Sequence, residues 1–347
     1  AMTIVLISDG ELEQYSCQQL GSQLRDLGRR CLTVGPVLTD PQPLPLSRQD
    51  LQITSALQLL GHAVLGEASA IGLFLHDPLE RQKFIDGYRT LCQHNHWDPA
   101  PIFSGPFVPL MGDALIQDLC QRLNCDLLML SGPEQLEQLQ IMSFNWPITL
   151  QPPPAVSTGF WFPCAPPKAE PANTPLLLAL IQETIPTRLG AREQLIRQLQ
   201  RWASLHPDWT IVLQPDHGWT AEQPLLGLAA KTTPINLVEA APGQMLNLLS
   251  RCTACLSVSS PWSLAAMAWD AKTLMVGDYG IQADQNTVGW FGCGAMHRVR
   301  EIRNLNELHE LPSVNRAWFE GIGGAIHDGP ERLLQALEDL PATTGQR

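Results

Sequence analysis

Residues 257–263 read Ser257-Val258-Ser259-Ser260-Pro261-Trp262-Ser263 and join an apolar run to an apolar helical segment. Ser260 is placed to cap that helix and Pro261 to be its first residue, where a missing N–H costs nothing. Unpaired amide groups, the helix dipole and the hydroxyls of Ser257, Ser259 and Ser260 would make an anion site suited to a phosphate. The same residues also describe a plain cap with no ligand, and the sequence leaves both readings open. His217, in Gln214-Pro215-Asp216-His217-Gly218, follows another apolar run. A neutral imidazole there could hydrogen-bond or protonate a leaving phosphate, or simply face solvent in a turn. Asp9 ends the first apolar run, before Gly10. It is either a base for an acceptor hydroxyl or a turn-capping aspartate.

Other patterns carry less. Cys252 and Cys255 are spaced CxxC, but the pair overlaps an apolar run and no second pair follows at zinc spacing, so structural thiols are expected. His94-Asn95-His96 lacks a visible third ligand, and no metal is expected. His76-Asp77-Pro78 also ends an apolar run and could line a cleft. Trp219, Trp262 and Trp290 lie near the serine and histidine segments, as core or as stacking surfaces. Neither Ser8-Asp9-Gly10-Glu11 nor Gln182-Glu183-Thr184 is GxGxxG, which disfavours a nicotinamide or flavin cofactor. GxxxxGK[ST] and GxSxG are absent too.

The elements that must position these residues alternate between strand and helix. Residues 3–8, 31–34, 70–75, 102–104 and 126–130 read as buried strands, with helices near 11–27, 78–92 and 113–123. Pro152-Pro153-Pro154 and the proline-rich stretch to Pro175 interrupt the pattern. It resumes with strands near 176–181, 209–213, 236–239, 254–258 and 273–276, and helices near 191–204, 245–249, 261–269 and 331–340. Alternation of this kind predicts parallel sheets covered on both faces. The expected organisation is α/β: a Rossmann-like domain at 1–150, a proline-rich hinge at 151–175, and a second Rossmann-like domain at 176–347. The site is expected in a cleft between the two.

Composition narrows the function classes. The chain has 347 residues, 44% hydrophobic and 16% charged, enough for two cores and against wholesale disorder. A formal net charge of −12 repels phosphate backbones, so nucleic acid is not an expected partner. No run of 18 apolar residues occurs; Leu59–Leu75 is broken by His62 and Glu67. The start lacks a basic signal region, and Ala1 before Met2 reads as an expression scar. Nine scattered cysteines, an odd number, fit reduced thiols and a cytoplasmic location.

From Leu178 to about Arg303 the chain resembles a bacterial domain-of-unknown-function family described as glycosyltransferases. The resemblance rests, in order, on Gln182-Glu183-Thr184-Ile185-Pro186, Arg192, His206-Pro207-Asp208-Trp209, His217, Ser257-Val258-Ser259-Ser260 and Asp278-Tyr279-Gly280. Gly105-Pro106, Gly112-Asp113 and Asp126-Leu127-Leu128 add weaker support. His217 and the double serine are also similar to the HP and SS motifs of bacterial sialyltransferases of GT-B form.

These resemblances imply transfer of a sialic-acid-like sugar from a CMP-linked donor, without a metal or other cofactor, to a glycan or lipid-linked acceptor. By residue, His217 would assist the leaving phosphate, Ser257, Ser259 and Ser260 would hold it, and Asp9 would be the base. Gln182, Arg188, Arg192 and Asp278 would line the cleft. One departure counts against activity. Gln214 and Asp216 stand where the family pattern has Lys and Arg, which would weaken phosphate binding by about 1–3 kcal/mol. Arg188, Arg192 or Lys272 could restore the charge. Two alternatives remain: a non-catalytic nucleotide-sugar or glycan-binding relative, and a nucleotide-sugar epimerase on the same fold.

Overall fold

A computed structural model of the chain describes residues 2–38, 43–220 and 233–341, which leaves Ala1 outside the described residues. It divides into two compact units, residues 1–39, 46–162 and 320–347 in the first and 40–45 and 163–319 in the second.

The first unit begins with β1 (Thr3–Ser8), every residue of it buried, as expected of a strand covered on both faces. Then follow α1 (Glu11–Asp26), β2 (Arg30–Gly35), β3 (Leu51–Gln52), β4 (Ala70–Phe74), α2 (Pro78–Asn95) and β5 (Ile102–Ser104). The run ends with α3 (Gly112–Cys120), β6 (Leu127–Leu130), α4 (Pro133–Ser143) and β7 (Ala155–Ser157). The strands form one parallel sheet in the order β3-β2-β1-β4-β5-β6-β7. The three prolines at 152–154 lead into β7, an edge strand, where a missing amide donor breaks no inner ladder.

The second unit runs β8 (Leu176–Ile181), α5 (Leu189–Leu205), β9 (Thr210–Pro215), β10 (Leu237–Glu239), α6 (Met245–Arg251), β11 (Ala254–Ser257), α7 (Ser263–Ala268), β12 (Lys272–Val276) and β13 (Met296–His297). Its sheet is parallel in the order β10-β9-β8-β11-β12-β13. Leu177, Ala179, Ile211, Leu213, Leu256 and Leu274 of these strands meet Leu195, Leu199 and Trp202 of α5 in one buried cluster.

The chain then passes through α8 (Arg316–Gly321) to α9 (Gly329–Glu338). Here the structure differs from the sequence reading, which left this last helix with the second half. Leu333, Leu334 and Leu337 of α9 join Ile4, Leu6, Leu20, Leu24 and Phe103 in a core cluster of the first unit. The helix start is fixed by a close approach: a Cβ on Gly329 would lie 2.0 Å from the Thr158 carbonyl oxygen.

In a parallel sheet, chain order reverses where successive strands leave in opposite directions, and a crevice opens at their carboxyl ends. In the first sheet that point lies between β1 and β4, and in the second between β8 and β11. No helix among the described residues is long and apolar enough to cross a membrane.

Candidate functional site

The chemistry-bearing residues collect at these two reversal points. In the first unit β1 and β4 pair in parallel, with Ser8 opposite Phe74, so the residues that follow them leave side by side. Asp9 follows one strand and His76 the other. The His76 backbone N–H donates to both Asp9 carboxylate oxygens, at 3.1 and 3.2 Å, and His76 Nδ1 lies 2.8 Å from Asp9 Oδ1. On the other side of the ring, Nε2 is 3.3 Å from Glu13 Oε1. The hydrogen bond to Asp9 raises the His76 pKa above its ordinary value, against partial burial, with help from the Glu13 charge. Gly10 makes room for this arrangement, since a Cβ there would lie 2.2 Å from His76 Cε1. The sequence singled out Asp9; the structure adds His76 as its direct partner and Glu13 behind it.

In the second unit the serines hold the loop together. Ser257 Oγ is 2.7 Å from Ser263 Oγ and accepts the Ser260 N–H at 3.2 Å. Ser260 Oγ accepts the Trp262 N–H at 3.3 Å. Ser259 donates its hydroxyl to the Gln285 carbonyl at 2.6 Å, while its N–H donates to Gln182 Oε1 at 2.9 Å. All three serines are buried. The expected helix from Pro261 starts instead at Ser263 and has six residues, because Pro261 and Trp262 form a turn before it. The amides that were to form the phosphate cradle are therefore engaged within the loop.

Gln182 closes the reversal point itself: besides accepting the Ser259 N–H, its Nε2 donates to Ser259 Oγ at 3.2 Å. Beyond it, Gln285 accepts the Thr187 N–H at 3.2 Å and donates to Thr187 Oγ1 at 3.0 Å. Gln182, Ser259, Gln285 and Thr187 thus tie the loops after β8 and β11 into one network, of which the sequence showed only the first two members.

His217 follows β9 on the same edge. Its N–H donates to Asp216 Oδ1 at 2.9 Å, and the Trp262 indole N–H donates to His217 Nδ1 at 3.2 Å. An indole nitrogen can only donate. Asp216 Oδ1, which can only accept, lies 3.2 Å from the same Nδ1, so the indole and the carboxylate make opposite demands on that nitrogen. Trp262, fully buried, is not a stacking surface; its indole N–H holds the His217 ring.

The altered rim does not face solvent. Gln214 is 1% and Asp216 6% exposed, and Gln214 Oε1 has no hydrogen-bond partner among the described residues. Of the cations that could replace the missing charges, Lys272 Nζ donates to the Leu311 carbonyl at 2.9 Å, and Arg192 Nη1 to the carbonyls of Pro186 and Thr187 at 2.6 and 3.2 Å. Arg188, exposed just before α5, has no ion pair or side-chain hydrogen bond among the described residues. Asp278 accepts the Val299 N–H at 2.7 Å and caps the turn there. His206 and Trp209 are scaffold: His206 Nε2 accepts the Leu305 N–H at 3.3 Å, and Trp209 Nε1 donates to Asn306 Oδ1 at 3.0 Å.

Among the described residues no group of three or more His, Cys, Asp or Glu is placed to hold a metal ion. Cys252 and Cys255 are both unpaired and buried. Burial pushes the Cys252 thiol up to about 12 and holds the Cys255 thiol well above its ordinary range.

Comparison with known proteins gives the family and the fold type. The model of a family described as "Putative glycosyltransferase (DUF6716)" matches residues 93–340. No curated protein sequence matches the chain. Among solved structures, S. aureus MnaA with UDP is similar over 97% of this chain and 96% of its own, with a TM-score of 0.62 and 10% identity. The UDP-GlcNAc 2-epimerase from Neisseria meningitidis bound to UDP-GlcNAc covers 97% and 100%, with a TM-score of 0.61 and 10% identity. The calicheamicin glycosyltransferase CalG4 covers 99% and 100%, with a TM-score of 0.50 and 14% identity. At such identities the likeness is one of fold: two Rossmann-like α/β units of the GT-B type.

Proposed function

The chain belongs to this glycosyltransferase family, and on that premise we propose that it moves a sugar from a nucleotide-linked donor to an acceptor hydroxyl. The observation that carries the reading is the Asp9–His76 pair at the β1–β4 reversal point, 2.8 Å apart. A carboxylate held in a fork by a histidine's backbone and ring nitrogens is oriented to receive a hydroxyl proton. His76 is the positioning residue and Asp9 the base.

On the donor side, His217 presents its imidazole and Arg188 an exposed guanidinium to the departing phosphate. In the reaction the acceptor oxygen bonds to the anomeric carbon as the bond from that carbon to the phosphate oxygen breaks. The phosphate leaves with the electron pair, and the acceptor proton passes to Asp9. His217 hydrogen-bonds the phosphate oxygen, whose charge grows in the transition state, which is where such a donor accelerates the step. A phosphate that takes up the Ser259 amide must displace Gln182 from it.

The similarity of His217, Ser259 and Ser260 to the sialyltransferase motifs supports a CMP-linked, sialic-acid-like donor, and a glycan or lipid-linked hydroxyl is the matching acceptor. A UDP-linked sugar is the second reading, favoured by the two similar structures that hold UDP and UDP-GlcNAc. Seven buried thiols without a disulfide, Cys17, Cys31, Cys92, Cys125, Cys252, Cys255 and Cys293, support a reducing, cytoplasmic setting.

The test is nucleotide release from CMP-sialic acid and from UDP-sugars, with and without a panel of glycan acceptors, for the native chain and Asp9→Asn. Acceptor-dependent release that Asp9→Asn lowers about 10²-fold or more supports the transferase. A sugar epimerised with no acceptor present, or no turnover of any donor, overturns it in favour of an epimerase or a binding protein.

A further inference from the structure

Arg81 is the fourth residue of α2 and is 2% exposed, yet its Nε and Nη1 have no hydrogen-bond partner among the described residues. Its Nη2 donates to Gln121 Oε1 at 3.1 Å. A guanidinium withdrawn from water carries a heavy penalty unless a counter-ion and hydrogen bonds replace the lost hydration. The residue after Gln121 is Arg122, whose Nε and Nη2 fork onto Asp118 at 2.8 and 3.0 Å and whose Nη1 donates to Ser104 Oγ at 2.6 Å. Ser104, the last residue of β5, hands its own proton to the Leu73 carbonyl in β4. Two arginines thus come together near the carboxyl ends of β4 and β5, and the carboxylate hydrogen-bonded there, Asp118, is taken by Arg122. Arg81 has no carboxylate hydrogen-bonded to it among the described residues. Burial, and then the Arg122 charge, hold Arg81 below the ordinary arginine range, while the Asp118 and Asp9 charges act the other way. Arg122 is the outer member, its side chain 10% exposed beside Asp118 at 21%.

We infer that Arg81 and Arg122 form an oxyanion subsite that takes a phosphate or carboxylate group carried by the acceptor. Both groups match the planar donor fork of a guanidinium, which is why the two share one site chemistry. A single anion supplies the missing counter-charge and the acceptors that Arg81 Nε and Nη1 lack. The subsite lies on the strand edge that also carries Asp9, so an anion held there anchors an acceptor beside the base. The assignment to the acceptor rests on the transferase reading; the binding of an oxyanion does not. The 121–124 turn has other fastenings to α2, from Arg89 Nη2 to the Asn124 carbonyl at 2.8 Å and from Asn124 Nδ2 to Gln82 Oε1 at 2.5 Å. Removing the Arg81 guanidinium therefore leaves the turn attached.

The experiment is thermal unfolding of the full chain with inorganic phosphate, against sodium chloride at matched ionic strength, for native, Arg81→Met, Arg81→Lys and His217→Ala proteins. Phosphate is expected to raise the native midpoint in a saturable way beyond chloride. The shift should persist in His217→Ala, weaken in Arg81→Lys and vanish in Arg81→Met. Without phosphate, Arg81→Met should melt no lower than the native chain, because an unpaired charge has been removed. A native chain indifferent to phosphate overturns the subsite, as does an Arg81→Met variant that keeps the shift or melts well below native. If Arg81→Met does not fold, Arg81→Lys decides, and an unchanged response there contradicts the guanidinium fork. A hexose phosphate and a hexuronate, run in parallel, tell which oxyanion is preferred. Should no nucleotide bind the protein at all, the transferase reading fails while the phosphate result stands or falls by itself.

Discussion

The Trp262 indole N–H donates to His217 Nδ1 at 3.2 Å, although the two residues are 45 positions apart in the chain. Asp216 Oδ1 also lies 3.2 Å from that nitrogen, so a group that can only donate and a group that can only accept both bear on it. Their meeting fixes the orientation of a histidine at a strand end.

Trp262→Phe removes that donor while keeping most of the buried ring. Lost volume at a fully buried tryptophan should cost about 1–3 kcal/mol, below the usual price of truncation to alanine. Turnover should fall toward that of His217→Ala, itself lower than native by roughly 10²-fold or more. The double variant should be little worse than either single one, since both remove the same function. Steady-state kinetics of the three variants check this, and additive losses would separate Trp262 from His217.

The Asp9–His76 pair makes stability depend on pH with a definite sign. A histidine whose folded pKa is raised contributes stability that is fully present below its ordinary value of 6.5 and fades as pH rises through the folded pKa. Unfolding midpoints of native and His76→Ala should therefore differ most near about pH 5.5 and converge by about pH 9. The ring is 64% exposed, so the difference is modest. In the pH–rate profile, His76→Gln keeps an N–H donor without a titrating charge and should flatten the limb that His76 sets. An unaltered profile would remove His76 from the positioning of Asp9.

Gln182→Ala opens the bond pair that joins the loops after β8 and β11. The Ser259 N–H loses its 2.9 Å acceptor in a site where Ser259 is 5% exposed. Leaving it unmet should cost about 1–3 kcal/mol, read from denaturant titration. If the donor phosphate displaces Gln182, nucleotide should restore more stability to this variant than to the native chain.

Much of the fold is written in the sequence because parallel strands are buried on both faces. Runs such as Thr3–Ser8 and Leu176–Ile181 have unbroken apolar centres, are buried from end to end and stand apart from the helices between them. Pairings between distant segments are not written there. Asp9 and His76 are 67 residues apart and meet only because β1 and β4 are neighbours in register. The helix α4 was missed because Pro133–Ser143 has a weak apolar stripe, and the edge strand β7 because three prolines precede it. The serines were legible as loop residues, but their partners Gln182, Gln285 and Ser263 lie beyond what spacing shows.

The last helix makes the same point about chain order. Its Leu333–Leu337 stripe has no label saying which sheet it covers, and proximity in sequence points to the second. Since Leu333 is fully buried in the first unit's core, Leu333→Ala should destabilise the protein by about 2–5 kcal/mol. Hydrogen exchange should show the loss of protection in β1 and α1 rather than in β8 and β9. Loss confined to β8 and β9 would return the helix to the second unit.

The most direct test of the whole account is nucleotide-induced thermal stabilisation with CMP, CMP-sialic acid, UDP and UDP-GlcNAc, measured on the native chain, His217→Ala and Asp9→Asn. A nucleotide at 100 times its Kd adds about 2.7 kcal/mol, a readily visible rise in midpoint. The account predicts that CMP or UDP compounds stabilise the native chain and Asp9→Asn alike, and that His217→Ala loses most of the effect. Stabilisation untouched by His217→Ala, or none from any nucleotide, would contradict it.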